Sequence, residues 1–177
     1  MISIAASCRF LEIEMTADTR FVELAQKMGH DFGGKIKIGG NYTPVTQDGH
    51  YLWVSGQIPR VGDKVLYVGA LGDAVSLIQG QEAAAICAMR ALELLRRVAG
   101  SLDAISSILR ITVYVRSVAD FTQQSEVADG ASDVLAHVLG PCGFHARTSV
   151  GVLQLPKGAA VELDVVASTT LRSRQNR

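Results

Sequence analysis

Two long segments with helical periodicity stand among five β-rich ones, and that ratio limits what the chain can fold into. Residues 79–98 place Ala84, Ala88, Ala91, Leu95 and Val98 on one stripe, with Gln81, Glu82, Arg90, Glu93 and Arg97 on a wet side, and stop at Gly100. Residues 121–139 carry a second stripe of Val127, Ala131, Val134, Leu135 and Val138. A shorter helix is read at 19–29, where Phe21, Leu24, Ala25 and Met28 recur before Gly29. The β-rich segments are 51–55, 64–69, 108–116, 147–154 and 160–167, with room for a further short strand near 35–47. The Gly62-Asp63 turn makes 51–69 a hairpin, and Leu155-Pro156-Lys157-Gly158 makes another of the last two strands. The order β-β-α-β-α-β-β predicts one α+β domain whose sheet has two helices packed on one face. The opposite face then needs a cover, which an oligomer supplies.

Alternation along the last two strands assigns side chains to those faces. Valines belong under the helices, so Thr148, Val150 and Val152 are expected there, as are Val161, Leu163 and Val165. Arg147, Ser149 and Gly151 then share the uncovered face with Glu162 and Asp164. Such a face is either solvated or a subunit interface carrying a guanidinium and a carboxylate. A two-residue turn at Lys157-Gly158 pairs Leu153 with Glu162, which leaves Arg147 about 20 Å away along its strand. A site using both residues therefore draws them from different subunits, or needs a bulge.

Charge and motifs remove several classes of function. Lys+Arg and Asp+Glu both number 17 and aromatics make up 6%, so no overall field favours a polyanionic partner, and nucleic-acid binding is disfavoured. Arg96-Arg97 and Arg110 are read as solvated ends. The cysteines (Cys8, Cys87, Cys142) form no CxxC and leave an odd one over, which fits a reducing cytoplasm better than a disulfide framework. Cys87 falls on the buried side of its helix. The four histidines have no paired ligand spacing, so no metal site is expected; His145 is placed at the rim of Arg147. Glycine-rich GGKIKIGG and GALGDAVS match neither a P-loop nor a dinucleotide fingerprint and read as turns. No run is long and apolar enough to span a membrane. Residues 1–18 read as an extension without an export signal, with Met15 as an alternative start, 19–168 as the domain, and 169–177 as a polar, basic tail.

Several stretches together resemble the RidA/YjgF family. They are NYTPV at 41–45, YLWVSGQIP at 51–59, VGALGDAVS at 68–76, ILRITVYVRSVADF at 108–121 and FHARTSVGVLQLPKGAAVELDVVA at 144–167. The resemblance covers residues 35–168 and is most specific in the last stretch; GALGDAVS and GASDVL mark a divergent branch. It implies a chorismate-mutase-like α+β fold with a mixed sheet and a homotrimer with clefts between subunits. It further implies hydrolysis of small 2-imino or enamine acids to 2-oxo acids and ammonia, without metal or organic cofactor. By position, Arg147 matches the arginine that grips the substrate carboxylate, and Glu162 the carboxylate that activates water. Tyr42 matches a pocket tyrosine, Gly56 and Gln57 a backbone wall, and Ser149 a position often held by cysteine. Asp129 stands where the family often has asparagine, next to the expected carboxylate site. Two other functions follow from the same resemblance: a non-catalytic trimeric binder of small metabolites, and an endoribonuclease.

Overall fold

The structure is a computed structural model that describes residues 15–34, 36 and 38–171. It comprises α1 (Ala17–Met28), β1 (Val45–Asp48), β2 (Tyr51–Gln57), β3 (Arg60–Val61), β4 (Lys64–Val65), α2 (Leu77–Ala99), β5 (Ile105–Arg116), α3 (Gln124–Leu139), β6 (Ala146–Val152) and β7 (Val161–Thr169). The five-stranded sheet runs β1-β2-β7-β5-β6, and β3 and β4 form a separate small ribbon. β5 and β6 pair in parallel while the other pairs are antiparallel, so the sheet is mixed, as expected. Of the expected N-terminal extension, residues 1–14 lie outside the described residues, as do 172–177 of the expected tail.

α2 lies across the sheet and starts with a capping box. Ser76 accepts from the Gln79 amide while the Gln79 side chain accepts from the Ser76 amide, an arrangement whose cap contributes about 1 kcal/mol. The helix is more deeply buried than its amphipathic reading implied. Every residue from Ile86 to Leu95 is buried, Arg90 and Glu93 included, whereas Val98 is exposed. The sequence AAAICAMRALELL is apolar on all sides, so no wet face was available for those two charges. Glu93 is neutralised by Arg96 and Arg97, each at 2.7–2.8 Å. Arg97 also donates to the carbonyls of Gly33 and Gly34, and Arg96 stacks over Phe21. The Arg96-Arg97 pair thus ties α1 and its following loop to α2, and is not a solvated end. α3 packs beside α2 with all five expected stripe residues buried.

Of the two expected hairpins, the Gly62-Asp63 turn persists with short arms as the β3–β4 ribbon, and the other is replaced. Residues 51–57 turn back on β1 through Gly49-His50, with Gly49 at φ +56°, so the strand anticipated near 35–47 is the true hairpin partner. The run 64–69 is not one strand: it pairs with β3 over Lys64–Val65, Tyr67 sits at φ +54°, where an extended run cannot continue, and Val68 then bridges Ala159. The last two strands do not pair with each other. α3 carries the chain from β5 to a parallel β6, a crossover that a hairpin cannot make. The 153–160 segment then passes over the end of β5, where Arg116 donates from its side chain to Gly158 O and from its amide to Ala160 O. β7 enters on the other side of β5, with Val115 opposite Val161.

This topology corrects the face assignment of β6. Arg147, Ser149 and Gly151 register with Ile111, Val113 and Val115, which are fully buried beneath the helices. Arg147 and Ser149 therefore lie on the helix face, and Val150 lies exposed on the other. Alternation gave the correct period with the wrong phase, because the helix side of this edge strand is lined by polar residues of α3. For β7 the expected phase holds, with Val161, Leu163 and Val165 buried and Glu162 and Asp164 facing away from the helices.

The α2–α3 contact is tightest at Gly130, where an added Cβ would lie 2.1 Å from the Gln81 carbonyl oxygen. Backbone cannot yield to such a clash, so Gly130→Ala is expected to lower stability by about 2–3 kcal/mol in urea unfolding, without loss of secondary structure.

Candidate functional site

β2 departs from its ladder at Ser55-Gly56, where the register against β7 slips between Val54 and Gln57. The side chain that fills the slip comes from β7. A Cβ on Gly56 would stand 2.0 Å from Glu162 Oε1, so the carboxylate lies directly on bare backbone. The bulge is held from behind. Gln57, buried, donates its amide to the carbonyls of Ser55 and Gly56 and accepts from Arg90 Nη2 at 3.2 Å. Arg90 reaches there from α2 and donates through Nη1 to Arg60 O at 2.9 Å. A line of contacts thus runs from α2 through Gln57 and Gly56 to the Glu162 carboxylate.

The pocket in front of Glu162 is lined by Tyr42, Gly56, Gln57, Arg60, Arg90 and Lys157, together with Ile36, Ile38, Gly39, Pro44, Ile58 and Pro156. It brings together four of the seven residues singled out from the sequence: Tyr42, Gly56, Gln57 and Glu162. Arg60 and Arg90 were missed as pocket residues. The signal available for Arg90 was a lone arginine inside an all-apolar helical run, and for Arg60 its place directly after SGQIP.

Glu162 is half-buried and has no hydrogen bond or ion pair among the described residues. Burial first, and then the charge of Asp164, push its carboxyl above the ordinary carboxylate range. Asp164 in turn accepts from Tyr114 Oη at 3.1 Å, and burial and that carboxylate push the Tyr114 phenol upward.

Arg147, Asp129 and Ser149 lie elsewhere. Arg147 donates through Nη1 to Asp129 Oδ1 at 2.8 Å and to Ser132 Oγ at 2.9 Å, and through Nη2 to Ser125 Oγ at 3.0 Å. Those three partners recur at i, i+4 and i+7 along α3, one face of the helix. His145 completes the cluster: one ring nitrogen lies 2.6 Å from Gly143 O and must carry the proton, so the other, 3.1 Å from Ser132 Oγ, accepts. Ser149 is two residues along the same face. In strand pairing Arg147 aligns through Ile111 with Val165, three residues from Glu162 and two strands away. With strands about 4.8 Å apart and residues about 3.3 Å along them, the Cα atoms are about 14 Å apart. Arg147 and Glu162 project from opposite faces of one sheet and do not meet within the chain.

The profile of the family described as "YjgF/chorismate_mutase-like, putative endoribonuclease" matches residues 27–163. Protein TCP17 of Trypanosoma cruzi is 36% identical over 155 residues, covering 87% of this chain and 97% of that protein. Among solved structures, the protein Atu1372 of Agrobacterium tumefaciens, of unknown function, superposes with a TM-score of 0.76 at 34% identity, covering 86% of this chain and 92% of its own. A "putative endoribonuclease" of Shewanella oneidensis gives a TM-score of 0.80 at 27% identity, covering 87% and 99%.

The raised Glu162 carboxyl has a consequence for stability. The folded chain holds that proton more tightly than the unfolded one, so ionised Glu162 costs stability, and the cost grows as pH rises from the ordinary carboxylate range through the raised value. Glu162→Gln is therefore expected to melt a few degrees above the wild type at about pH 7, with the gap closing towards about pH 4. Melting curves across that range check it, and a constant gap defeats it.

Proposed function

The chain belongs to the YjgF/chorismate-mutase-like family, and on that premise we propose that it is a hydrolytic deaminase of small 2-imino and enamine acids. One observation carries the reading: a half-buried carboxylate without a counter-ion among the described residues, laid across Gly56 and sharing a pocket with Tyr42. A carboxyl raised by its surroundings is a stronger base than an ordinary one, which suits proton transfer. In the reaction, Glu162 takes a proton from water as the water oxygen bonds to the imine carbon, and hands that proton to the nitrogen. The resulting amino alcohol passes its hydroxyl proton through Glu162 to the amine. The C–N bond then breaks, leaving a 2-oxo acid and ammonia. Each of these steps is proton transfer and addition, so the scheme calls for neither metal nor organic cofactor.

In this reading the catalytic pair is Glu162 and Arg147, with Arg147 reaching the pocket of an adjoining subunit in a cytoplasmic homotrimer. Its fork there takes the substrate carboxylate and orients the imine carbon towards the water. Tyr42 closes the pocket, the backbone at Gly56 and Gln57 forms its wall, and Ser149 lies beside Arg147. Residues 19–168 act as one catalytic domain.

A second reading has a specific observation behind it. Arg147 already donates to Asp129, and an arginine satisfied by an internal carboxylate binds an incoming one less well. That favours a non-catalytic, metabolite-binding trimer. RNA cleavage fits less well, since no histidine lines the pocket.

2-Iminopropanoate and 2-iminobutanoate generated in situ from amino acids separate these readings. The wild type is expected to accelerate ammonia release, with Glu162→Gln and Arg147→Ala each losing about 100-fold or more. A wild type no faster than water leaves the binding reading standing. Asp129→Asn is expected to free Arg147 and lower KM by about tenfold with little change in kcat, the pattern of strengthened carboxylate binding. An unchanged KM would mean that Arg147 does not contact the substrate.

A further inference from the structure

Arginine is expensive to bury without a carboxylate. Arg96, Arg97 and Arg147, though only partly covered, each hold one at 2.7–2.8 Å. Arg60 and Arg90 do not. Each is only 7% exposed, and among the described residues neither forms an ion pair. Among the described residues Arg90 donates only to neutral oxygens, Gln57 Oε1 and Arg60 O, and its buried Nε has no partner there. The Arg60 side chain has no hydrogen-bond partner among the described residues, and the two charges oppose each other. Burial and the Arg60 charge both press the Arg90 pKa downward. Asp31 lines an adjoining hollow with Arg60 and Arg90, yet it accepts from the Gly33 amide and pairs with neither arginine. Two guanidinium charges held close together in a partly buried site repel each other unless an anion joins them.

Both arginines line the pocket that holds Glu162, and Lys157 adds a third cation to its wall. We propose that Arg60 and Arg90 form an oxyanion subsite at one end of this pocket, and that the substrate carries a second acidic group: a 2-imino dicarboxylic acid. The unpaired donors are the observation that assigns it. A planar carboxylate matches two forks that share one side, and its charge relieves the repulsion between them. Glu162, also without a partner among the described residues, stands in the same cavity and is left for the reacting end. A monocarboxylic imine offers nothing to this pair. The assignment of the reacting end rests on the deaminase reading above, whereas the anion subsite itself is a matter of binding and can be measured without turnover.

Calorimetry on the full-length protein decides between the outcomes, with 2-oxoglutarate and oxaloacetate as dicarboxylate probes, 2-oxobutanoate as the monocarboxylate and inorganic phosphate as a plain anion. A dicarboxylate is expected to bind at least tenfold more tightly than 2-oxobutanoate and phosphate. Arg60→Gln should abolish that preference, and Arg60→Lys, which keeps the charge but loses the fork, should weaken it. Arg110→Gln removes the same charge from the exposed Thr148 contact and should leave the preference in place. Equal affinity for mono- and dicarboxylates overturns the subsite, as does a preference that survives Arg60→Gln. Phosphate binding as tightly as 2-oxoglutarate overturns the dicarboxylate assignment. The wild-type comparison stands even if a variant fails to fold. Imine hydrolysis with no dicarboxylate preference sinks the subsite alone, and a dicarboxylate preference with no imine hydrolysis sinks the reaction alone.

Discussion

β7 is hydrogen-bonded on both sides, to β2 and to β5, and along it every second residue is buried. Val161, Leu163, Val165 and Ala167 meet the helices, so Glu162 and Asp164 are forced to the other face, where two carboxylates on alternate residues repel each other. A one-residue slip would drive both acids into the core, a cost no other contact of the strand offsets. The bulge in β2 is the complement of that fixed register. Bare backbone at Gly56 gives Glu162 the space that any other residue would take away, and Gln57 and Arg90 hold the bulge open from the helix side.

Glu93, Arg90 and the half-buried Glu162 are settled in different ways. Glu93 is 1% exposed and carries two arginines at 2.7–2.8 Å, which ties α1 and the 33–34 turn to α2. Breaking such a pair by removing one partner typically costs about 3–5 kcal/mol, so Glu93 belongs to the framework. Arg90 has only neutral acceptors and an empty Nε, and Glu162 has none among the described residues. A fold that satisfies Glu93 twice over, yet leaves Arg90 and Glu162 short in one pocket, carries its electrostatic cost where a ligand can relieve it.

Periodicity made the helices and the buried faces of β5 and β7 legible, since Ile108, Ile111, Val113 and Val115 had to be inward in any packing. Pairing was less legible. A Leu-Pro-Lys-Gly turn looks the same whether its strands join each other or straddle a third, and only the crossover through α3 decides it. The phase of β6 failed for a related reason. On an edge strand one side meets polar Ser125, Asp129 and Ser132, so Val150 has no apolar neighbour under the helices and lies outward. Within the site, Gly56, Gln57, Tyr42 and Glu162 were marked by motif, whereas Arg60 and Arg90 belong to no motif. Their importance lies in missing partners, and an absent contact leaves no mark on a sequence.

The separation of Arg147 from Glu162 constrains how the two can act together. They project from opposite faces, about 14 Å apart at Cα, so no side-chain rotation brings them to one ligand. Arg147 stands on the edge strand β6, and Glu162 lies next to the bulge of β2, towards the other edge of the sheet. Edges and an open face bearing exposed Trp53 and Val150 are the surfaces through which a second chain would approach. The proposed reaction would need the β6 edge of one chain seated near the β2 side of the next, an arrangement that moves neither strand. Among the described residues, Arg60 and Arg90 are the guanidiniums lining the Glu162 pocket, and Lys157 joins them. Under the proposed reaction an isolated subunit holds an acid through these three cations, and Arg147 would add to them on assembly.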